Sequence, residues 1–266
     1  MSTRFDTDTE VRPTGEGAYE ARLDPGWWIV AGPNGGYLAA ILLRALGHAV
    51  DDASRTPRSL TVHYTAVPQE GRARIETRVE RRGRSLTNIS GRLLQGERLI
   101  AVTLAAFSKP RAALELADAR MPEVPPPEQC DPRWEKHIEM HDRYEYRWAL
   151  GDRPFSNGTQ ALLGAWIRPA EPRRVDAPLL AAYCDAFPPA LFSRVADGAL
   201  AGGLPTVDLT VHFREPLPLP DASPDDFTLG VFRTRVAREG FLEEDGEIWS
   251  RGGVLLAHSR QLAVVR

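Results

Sequence analysis

The chain has 266 residues, of which 42% are hydrophobic, and a formal net charge of −3, which is typical of a globular protein with a sizeable core. This charge excludes the basic excess of most nucleic-acid-binding proteins, and the two cysteines, Cys130 and Cys184, are too few for a metal cluster or a disulfide framework. No apolar segment opens the chain and no run reaches the roughly 18 apolar residues of a membrane span, so we expect a cytoplasmic protein without a nucleic-acid or membrane partner.

The first clear element is a helix that opens with two glycines, in the stretch "AGPNGGYLAAILLRALGHAV" at residues 31–50. Glycine weakens a helix start, so Gly35 and Gly36 predict bare backbone in close approach to another group, although Asn-Gly is also a common turn dipeptide. Beyond them the helix is apolar on nearly every side, and only Arg44 and His48 mark a solvent face. A helix that is apolar all round has to be buried all round.

Four strands are predicted after this helix, because four segments rich in apolar and β-branched residues follow one another with glycines between them. These segments are "SLTVHYTAV" (59–67), "RARIETRVERR" (72–82), "RSLTNISGRLL" (84–94) and "ERLIAVTLAAFS" (97–108). Such a series is typical of an antiparallel meander. The Pro-rich run at 109–132 has little periodic apolar content, and we interpret it as a linker.

Three segments of the first half recur in the second half in the same order. "LTVHYTAVP" at 60–68 resembles "LTVHFREPLP" at 209–218, an offset of 209 − 60 = 149. "LIAVTLAAF" pairs with "LLAHSRQLA" at an offset of 255 − 99 = 156, and "YLAAI" pairs with "LLAAY" at 179 − 37 = 142. Their shared order favours a tandem repeat. We predict an α+β fold of the double hotdog type, in which each repeat wraps an antiparallel sheet around a central helix, with repeats at 1–110 and 133–266 and a linker at 111–132.

The second helix is predicted in "DAPLLAAYCDAFPP" at 176–189, with Asp176 as its N-cap and the two prolines as its end. Asp185 falls within this predicted helix. A carboxylate on a buried apolar helix is costly unless it has a partner, which makes Asp185 the most unusual residue of the sequence. The alternative is that Asp185 faces solvent or caps the segment after the prolines.

Alignment of the two helices at the offset of 142 indicates that the first half has free amides at its helix start but no acid, and that the second half has the acid but no such amides. The glycine pair corresponds to Ala177 and Pro178, and proline has no N–H to donate, whereas Asp185 corresponds to Leu43. Free amides at the glycine pair, with the positive end of the helix dipole behind them, can hold an oxygen that gains negative charge. We predict that the acid and the amides face each other across the interface and form a single site.

Six segments carry a resemblance to a known family: "GGYLAA", "RGRSLTNISGRL", "WIRPA", "AAYCDAF", "TVDLTVHFREPL" and "EIWSRGGVLLAHSRQ". Over nearly its entire length the chain resembles the double-hotdog acyl-CoA thioesterases and is similar to acyl-CoA thioesterase II. The resemblance implies that Asp185, Thr206 and Gln261 hold an attacking water molecule. It also implies that Gly35 and Gly36 bind the oxyanion of the reaction.

The resemblance further implies the reaction, which is hydrolysis of acyl-CoA to a carboxylic acid and CoA without a cofactor or a metal. Tyr37 departs from the "GGQ" with which the family opens the helix, and we expect this departure to alter the acyl pocket. Strand alternation places Thr206 on the face of Asp208 and opposite Leu209. Either this polar face meets the other half, or the strand bends near "GGLP" at 202–205, before Thr206.

Two other functions stay open at the level of sequence. An enoyl-thioester hydratase on the same fold usually needs an Asp–His pair near a strand-to-helix junction, and no histidine lies in the helix-opening region of either half. A non-catalytic acyl-thioester-binding module would bind the same ligands without hydrolysis. A homo-oligomer is compatible with the fold, because hotdog sheets have edges that often pair.

Overall fold

The computed structural model describes residues 2–29, 32–132, 138–200 and 203–265. The helices are α1 (Arg4–Asp8), α2 (Gly35–Val50) and α3 (Ala177–Tyr183), and 3-10 helices span Pro25–Trp27, Pro127–Gln129, Glu139–Arg143 and Ala190–Arg194. The strands are β1 (Val11–Gly15), β2 (Ala18–Leu23), β3 (Thr56–Tyr64), β4 (Gly71–Arg82), β5 (Leu86–Gln95), β6 (Arg98–Ser108), β7 (Tyr144–Gly151), β8 (Leu162–Pro169), β9 (Thr206–Phe213), β10 (Thr228–Arg233), β11 (Ala237–Arg238), β12 (Phe241–Ser250) and β13 (Leu255–Val264). No helix in these ranges is long and apolar enough to cross a membrane.

The strands of the described ranges form one sheet in the order β1-β2-β4-β5-β6-β3-β9-β13-β12-β10-β8-β7, and β11 pairs with β12 beside this path. Neighbouring strands are antiparallel, as the predicted meander requires. The order is the same on both sides of the β3–β9 pair. In each half, the strand before the helix lies far from this pair and the strand after the helix belongs to it.

The two halves are joined through the repeated "LTVH" segments, which lie in β3 and β9. Thr61 lies opposite Thr210, and their hydroxyl oxygens are 3.0 Å apart. Leu60 lies opposite Val211 and Val62 opposite Leu209, so the register is symmetric about the threonine pair. The central pair, Thr61 and Thr210, is separated by the repeat offset of 210 − 61 = 149.

Helix α2 is buried on nearly every side. The side chains from Tyr37 to Leu43 are at most 3% exposed, and the helix packs against α3 and strands β3 to β6. Arg44 is partly buried and forms an ion pair with Asp6 at 2.9 Å, whereas His48 is exposed. This burial agrees with the apolar pattern, because the two polar positions are those that the sequence places toward solvent.

The Pro-rich run at 109–132 has one part that is exposed to solvent and another that packs against the core. Leu114 and Leu116 are exposed, as expected of a linker, but Met121 and Val124 pack against a core cluster of the second half. This cluster contains Trp166, Phe227, Leu229, Val231 and Trp249. Because the end of the run shields this cluster from solvent, the run is more than a spacer. Its boundaries stay predictions, and residue 133, the predicted start of the second repeat, lies outside the described residues.

Candidate active site

Asp185 lies in the turn after helix α3, and its predicted position inside the helix is wrong. The helix ends at Tyr183, Cys184 is its C-cap, and the Asp185 amide donates to the Ala182 carbonyl at 3.2 Å. The α-helical pattern gives way to a tighter turn here, since the amides of Asp185 and Ala186 bond to carbonyls three residues back, and Pro188 has no N–H with which an α-helix could continue. The turn directs the Asp185 carboxylate at the start of helix α2.

The carboxylate of Asp185 is held by the start of helix α2. Its Oδ2 accepts hydrogen bonds from the Gly36 amide at 3.0 Å and from the Asn34 side-chain amide at 2.9 Å. Asn34 also donates to the Asp185 carbonyl at 2.5 Å and caps α2 by accepting the Tyr37 N–H at 2.9 Å. An acid from the second half thus contacts the helix start of the first half, as the comparison of the two helices predicted.

The glycine pair lets helices α2 and α3 approach each other closely. A Cβ atom on Gly36 would lie 2.5 Å from the Ala182 carbonyl oxygen and 3.0 Å from its Cα atom. A Cβ atom on Gly35 would lie 3.0 Å from Asp185 Oδ2 and 3.0 Å from the Tyr64 ring. Side chains do not fit at these distances, so the close approach predicted for bare backbone is confirmed.

Burial raises the pKa of Asp185 to about 6, although hydrogen bonds from Gly36, Gly35 and Asn34 favour the charged form and limit the rise. An acid with such a pKa exchanges protons readily near neutral pH. Tyr64 donates its hydroxyl to the Gly35 carbonyl at 2.7 Å, and burial together with the charge of Asp185 raises the pKa of Tyr64 well above its usual value. Tyr64 therefore stays protonated beside Asp185.

Thr206 and Gln261 form a second group on the adjacent strands β9 and β13. The Thr206 hydroxyl donates to Gln261 Oε1 at 3.2 Å. The alternation that places Thr206 opposite Leu209 is wrong, because the register shifts: Asp208 lies opposite Leu262 but Thr206 lies opposite Ala263. This bulge turns Thr206 to the face of Gln261. It lies after Thr206, between Thr206 and Asp208, and not in the preceding "GGLP" segment where the sequence suggested a bend; the first residue of that segment, Gly202, lies outside the described residues.

Glu244 belongs to the same group and was missed in the sequence analysis. It lies opposite Gln261 in β12, is only 2% exposed, and accepts the Gln261 Nε2–H at 2.9 Å through Oε1. Its other oxygen accepts the amide of Ala190. Burial raises the pKa of Glu244 to about 7, and the charge of Asp185 adds to this effect. Alternation in "FLEEDGEIW" places Glu244 on the face of Leu242 and Ile248, which was the available signal.

The segment from Cys184 to Ala190 carries Asp185 across the sheet near this second group. The Cys184 thiol lies near Ser259, which limits the rise of its pKa and shares a face of β13 with Gln261. The other end of the segment contacts Glu244. The charge of Asp185 contributes to the raised pKa of Glu244, which agrees with this closeness. Among the described residues, no hydrogen bond joins Asp185 directly to Thr206 or Gln261.

Tyr37, the position that departs from the family pattern, lies in the core of the first half. It is fully buried, and its ring stacks on Trp27 with the ring centres 5.0 Å apart. Its hydroxyl donates to the Asp8 carbonyl at 2.8 Å and accepts the Asp24 amide at 3.1 Å. These contacts fix the N-terminal segment, so the expected effect on an acyl pocket has no support in the position of this side chain.

Two surface clefts lie apart from the groups described above. One, of about 270 Å³, is lined by residues between Pro132 and Arg147, and the other, of about 440 Å³, is lined by residues that include Leu191, Arg194 and Arg233. Neither is lined by Asp185 or Gln261. The chemistry of the described site therefore rests on its hydrogen-bonded groups and not on either cleft.

Comparison with known proteins gives matches along most of the chain. The family model of the acyl-CoA thioesterase N-terminal domain matches residues 24–108, and that of the acyl-CoA thioesterase C-terminal domain matches residues 118–265. An uncharacterised protein of Mycobacterium tuberculosis strain H37Rv is 25% identical, and the match covers 100% of this chain and 99% of that protein.

Two solved structures are similar over the same length. A hot dog fold protein of unknown function from Alicyclobacillus acidocaldarius has a TM-score of 0.88 and 26% identity, covering 100% of this chain and 99% of the other. A candidate thioesterase II from Thermobifida fusca YX has a TM-score of 0.82 and 29% identity, covering 99% and 98%. The chain adopts a hotdog fold and belongs to the acyl-CoA thioesterase family.

Proposed function

We propose that this chain hydrolyses acyl-CoA to a carboxylic acid and CoA at one site, which contains Asp185, Thr206 and Gln261 beside the start of α2. The observation that carries the proposal is the hydrogen bond from Gly36 to Asp185, because it joins the acid of one half to the helix start of the other. Membership of the acyl-CoA thioesterase family supports the same reaction.

The proposal includes a duplicated architecture, with tandem hotdog repeats at 1–110 and 133–266 joined by the linker at 111–132. The equal strand order on the two sides of β3 and β9 supports it, as does the pairing of the repeated "LTVH" segments. Each repeat has diverged in its helix. The first keeps the open helix start, and the second keeps the acid, so the pair has one site.

In the proposed reaction, a water molecule binds between Asp185 and the Thr206–Gln261 pair. The Asp185 carboxylate accepts one proton, and Gln261 Oε1 accepts a hydrogen bond from the other, which directs a lone pair of the water at the thioester carbon. A C–O bond forms as the proton moves to Asp185. A positioned base of this kind contributes about 10²–10⁴-fold to the rate.

The amide of Gly36 has two partners during this step. It donates to Asp185 in the resting protein. As Asp185 accepts a proton, its negative charge falls while the carbonyl oxygen of the substrate gains charge. The Gly36 amide can then donate its hydrogen bond to the oxyanion. Collapse of the tetrahedral intermediate breaks the C–S bond, and the proton on Asp185 passes to the leaving CoA thiolate.

A panel of acyl-CoA substrates with a free-thiol reagent tests the proposed function. We expect thiol release with at least one acyl chain, at a rate proportional to enzyme concentration. Affinity for acyl-CoA without thiol release would support the binding module instead. A change in the absorbance of an enoyl-CoA without thiol release would support a hydratase, and both results would contradict the proposal.

A further inference from the structure

Glu244 is a buried acid to which the proposed reaction assigns no role. Its side chain is 2% exposed, and its two oxygens have different partners: Oε1 accepts from Gln261 Nε2 at 2.9 Å and Oε2 accepts from the Ala190 amide. Both partners are donors, so the geometry suits an ionised carboxylate. A buried acid in this position is costly, which calls for a functional reason.

The contact with Glu244 determines which way the Gln261 side chain faces. A glutamine amide has one accepting end and one donating end, and an ionised carboxylate can only accept. Gln261 therefore has to direct Nε2 at Glu244, which leaves Oε1 for the Thr206 hydroxyl at 3.2 Å. The end of Gln261 that faces the proposed water is an acceptor because of Glu244.

The bond to Ala190 connects the same carboxylate to the segment that carries Asp185. This segment begins at Cys184, which lies near Ser259 on β13, and ends at Ala190, whose amide donates to Glu244 on β12. One carboxylate thus anchors both the far end of the Asp185 segment and the side chain of Gln261. The charged groups that act on Glu244 are Asp185, from this segment, and Glu243, from its own strand.

We propose that Glu244 is a positioning residue for thioester hydrolysis, which holds the Gln261 amide with its oxygen toward the attacking water. This inference rests on the proposed function. Glu244 does not touch the substrate, and it acts through Gln261. It follows that the site depends on an acid in β12 as well as on Asp185.

The isosteric variant Glu244→Gln separates orientation from packing. The new amide can accept from the Ala190 N–H, but it then directs its own NH2 at Gln261. Because two NH2 groups cannot hydrogen-bond with each other, the Gln261 side-chain amide has to flip and direct its oxygen at position 244. We expect kcat to fall by about 10- to 100-fold, while KM changes by less than about twofold, because misplacement of a reacting group by a small distance costs up to about 10²-fold.

A double-mutant cycle tests whether Glu244 acts through Gln261. The variants are Glu244→Gln, Gln261→Ala and their combination, and Glu247→Gln is the control, since Glu247 lies on the same strand with its carboxylate bonded to Trp249. We expect no further decrease in kcat when Glu244→Gln is added to Gln261→Ala, and no decrease in kcat in the control. An unchanged kcat in Glu244→Gln, or fully additive losses, would overturn the proposal.

The exchange variant Glu244→Gln/Gln261→Glu keeps the proposal testable if the single variant folds poorly. The amide at position 244 can then accept from Ala190 and donate to the acid at 261, whose second oxygen faces Thr206 as an acceptor. The exchange leaves the total charge unchanged. We expect its kcat to lie within about tenfold of the wild-type value, and a larger loss in the folded exchange variant would contradict the orientation role.

A readout independent of turnover distinguishes this inference from the proposed function. In the wild-type protein, the side-chain amide resonances of Gln261 in 15N NMR should shift as Glu244 titrates, and this shift should be lost in Glu244→Gln. If wild-type protein releases no thiol but the shift is present, the proposed reaction fails and the placement of Gln261 stands. Identical resonances in both proteins at every pH would overturn the inference.

Discussion

Asp185 shows how a single residue can be stabilised and kept reactive by the same contacts. Burial disfavours its ionised form, and the donors Gly36 and Asn34 favour it, so that its pKa rises to about 6 and no further. A more exposed acid would be too weak a base, and an unpartnered one would stay protonated. The placement at a helix start gives a carboxylate that is ionised at neutral pH, as its proposed role as a base requires.

The pH dependence of turnover follows from this balance. The base has to be ionised, and its pKa is raised from 3.8 to about 6, so we expect kcat/KM to fall as the pH decreases through about 6. The carboxyls of Asp185 and Glu244 interact, so the profile reports apparent pKa values of the pair. Initial rates from pH 4.5 to 9 measure it, and a midpoint below pH 4.5 would contradict a buried base.

Sequence patterns identify a functional residue well when its type differs from that of its neighbours in the sequence, and poorly when the neighbours are of the same type. Asp185 stands out from small apolar neighbours, and the glycine pair from a helix start. Glu244 is concealed in an acidic run whose other members face outward, so only strand alternation distinguishes it. The role of Tyr37 was not predictable, because its hydroxyl contacts backbone groups far along the chain.

At the scale of elements, the contact between α2 and α3 decides the geometry of the site. Their backbones approach so closely that only glycine fits at Gly36, and this approach brings Asp185 to the first turn of α2. The burial of α2 was predictable from its periodicity. The last residue of α3 was less so, because the two prolines limit the helix without specifying where it ends. The bulge at Thr206 was not predictable, because it arises from the pairing of β9 with β13.

Substitution of Gly36 tests the helix contact. Gly36→Ala places a methyl group 2.5 Å from the Ala182 carbonyl oxygen, so we expect a loss of about 1–3 kcal/mol in the free energy of unfolding and a loss of turnover. Gly47→Ala is the matched control, since an added Cβ there meets nothing within 4 Å. It should stabilise α2 by about 0.5–1 kcal/mol. Urea unfolding measures both, and equal effects would refute the close contact.

At the scale of the whole molecule, one sheet unites the two halves through β3 and β9. The repeated segments meet there with Thr61 opposite Thr210, and the order of strands is the same on each side. The pairing of these two strands was not predictable from the repeated segments, because a sequence repeat does not specify which edges join.

Charged pairs at the junction test its contribution to stability. Like charges that lie directly opposite in a sheet repel, so we expect Thr61→Lys/Thr210→Lys to be less stable than Thr61→Lys/Thr210→Glu by about 0.5–1 kcal/mol. Denaturant unfolding of the two variants at low salt gives the difference. Equal stability would mean that the two strands do not pair in this register.

The most direct test of the account is the turnover of Asp185→Asn on the best acyl-CoA substrate, with the exposed Asp225→Asn as control. The asparagine can still accept the Gly36 amide but cannot take a proton from water. We expect kcat to fall by about 10²–10⁴-fold with the fold retained, and no change in the control. Full turnover in Asp185→Asn would contradict the claim that an acid from one half activates water beside the helix start of the other.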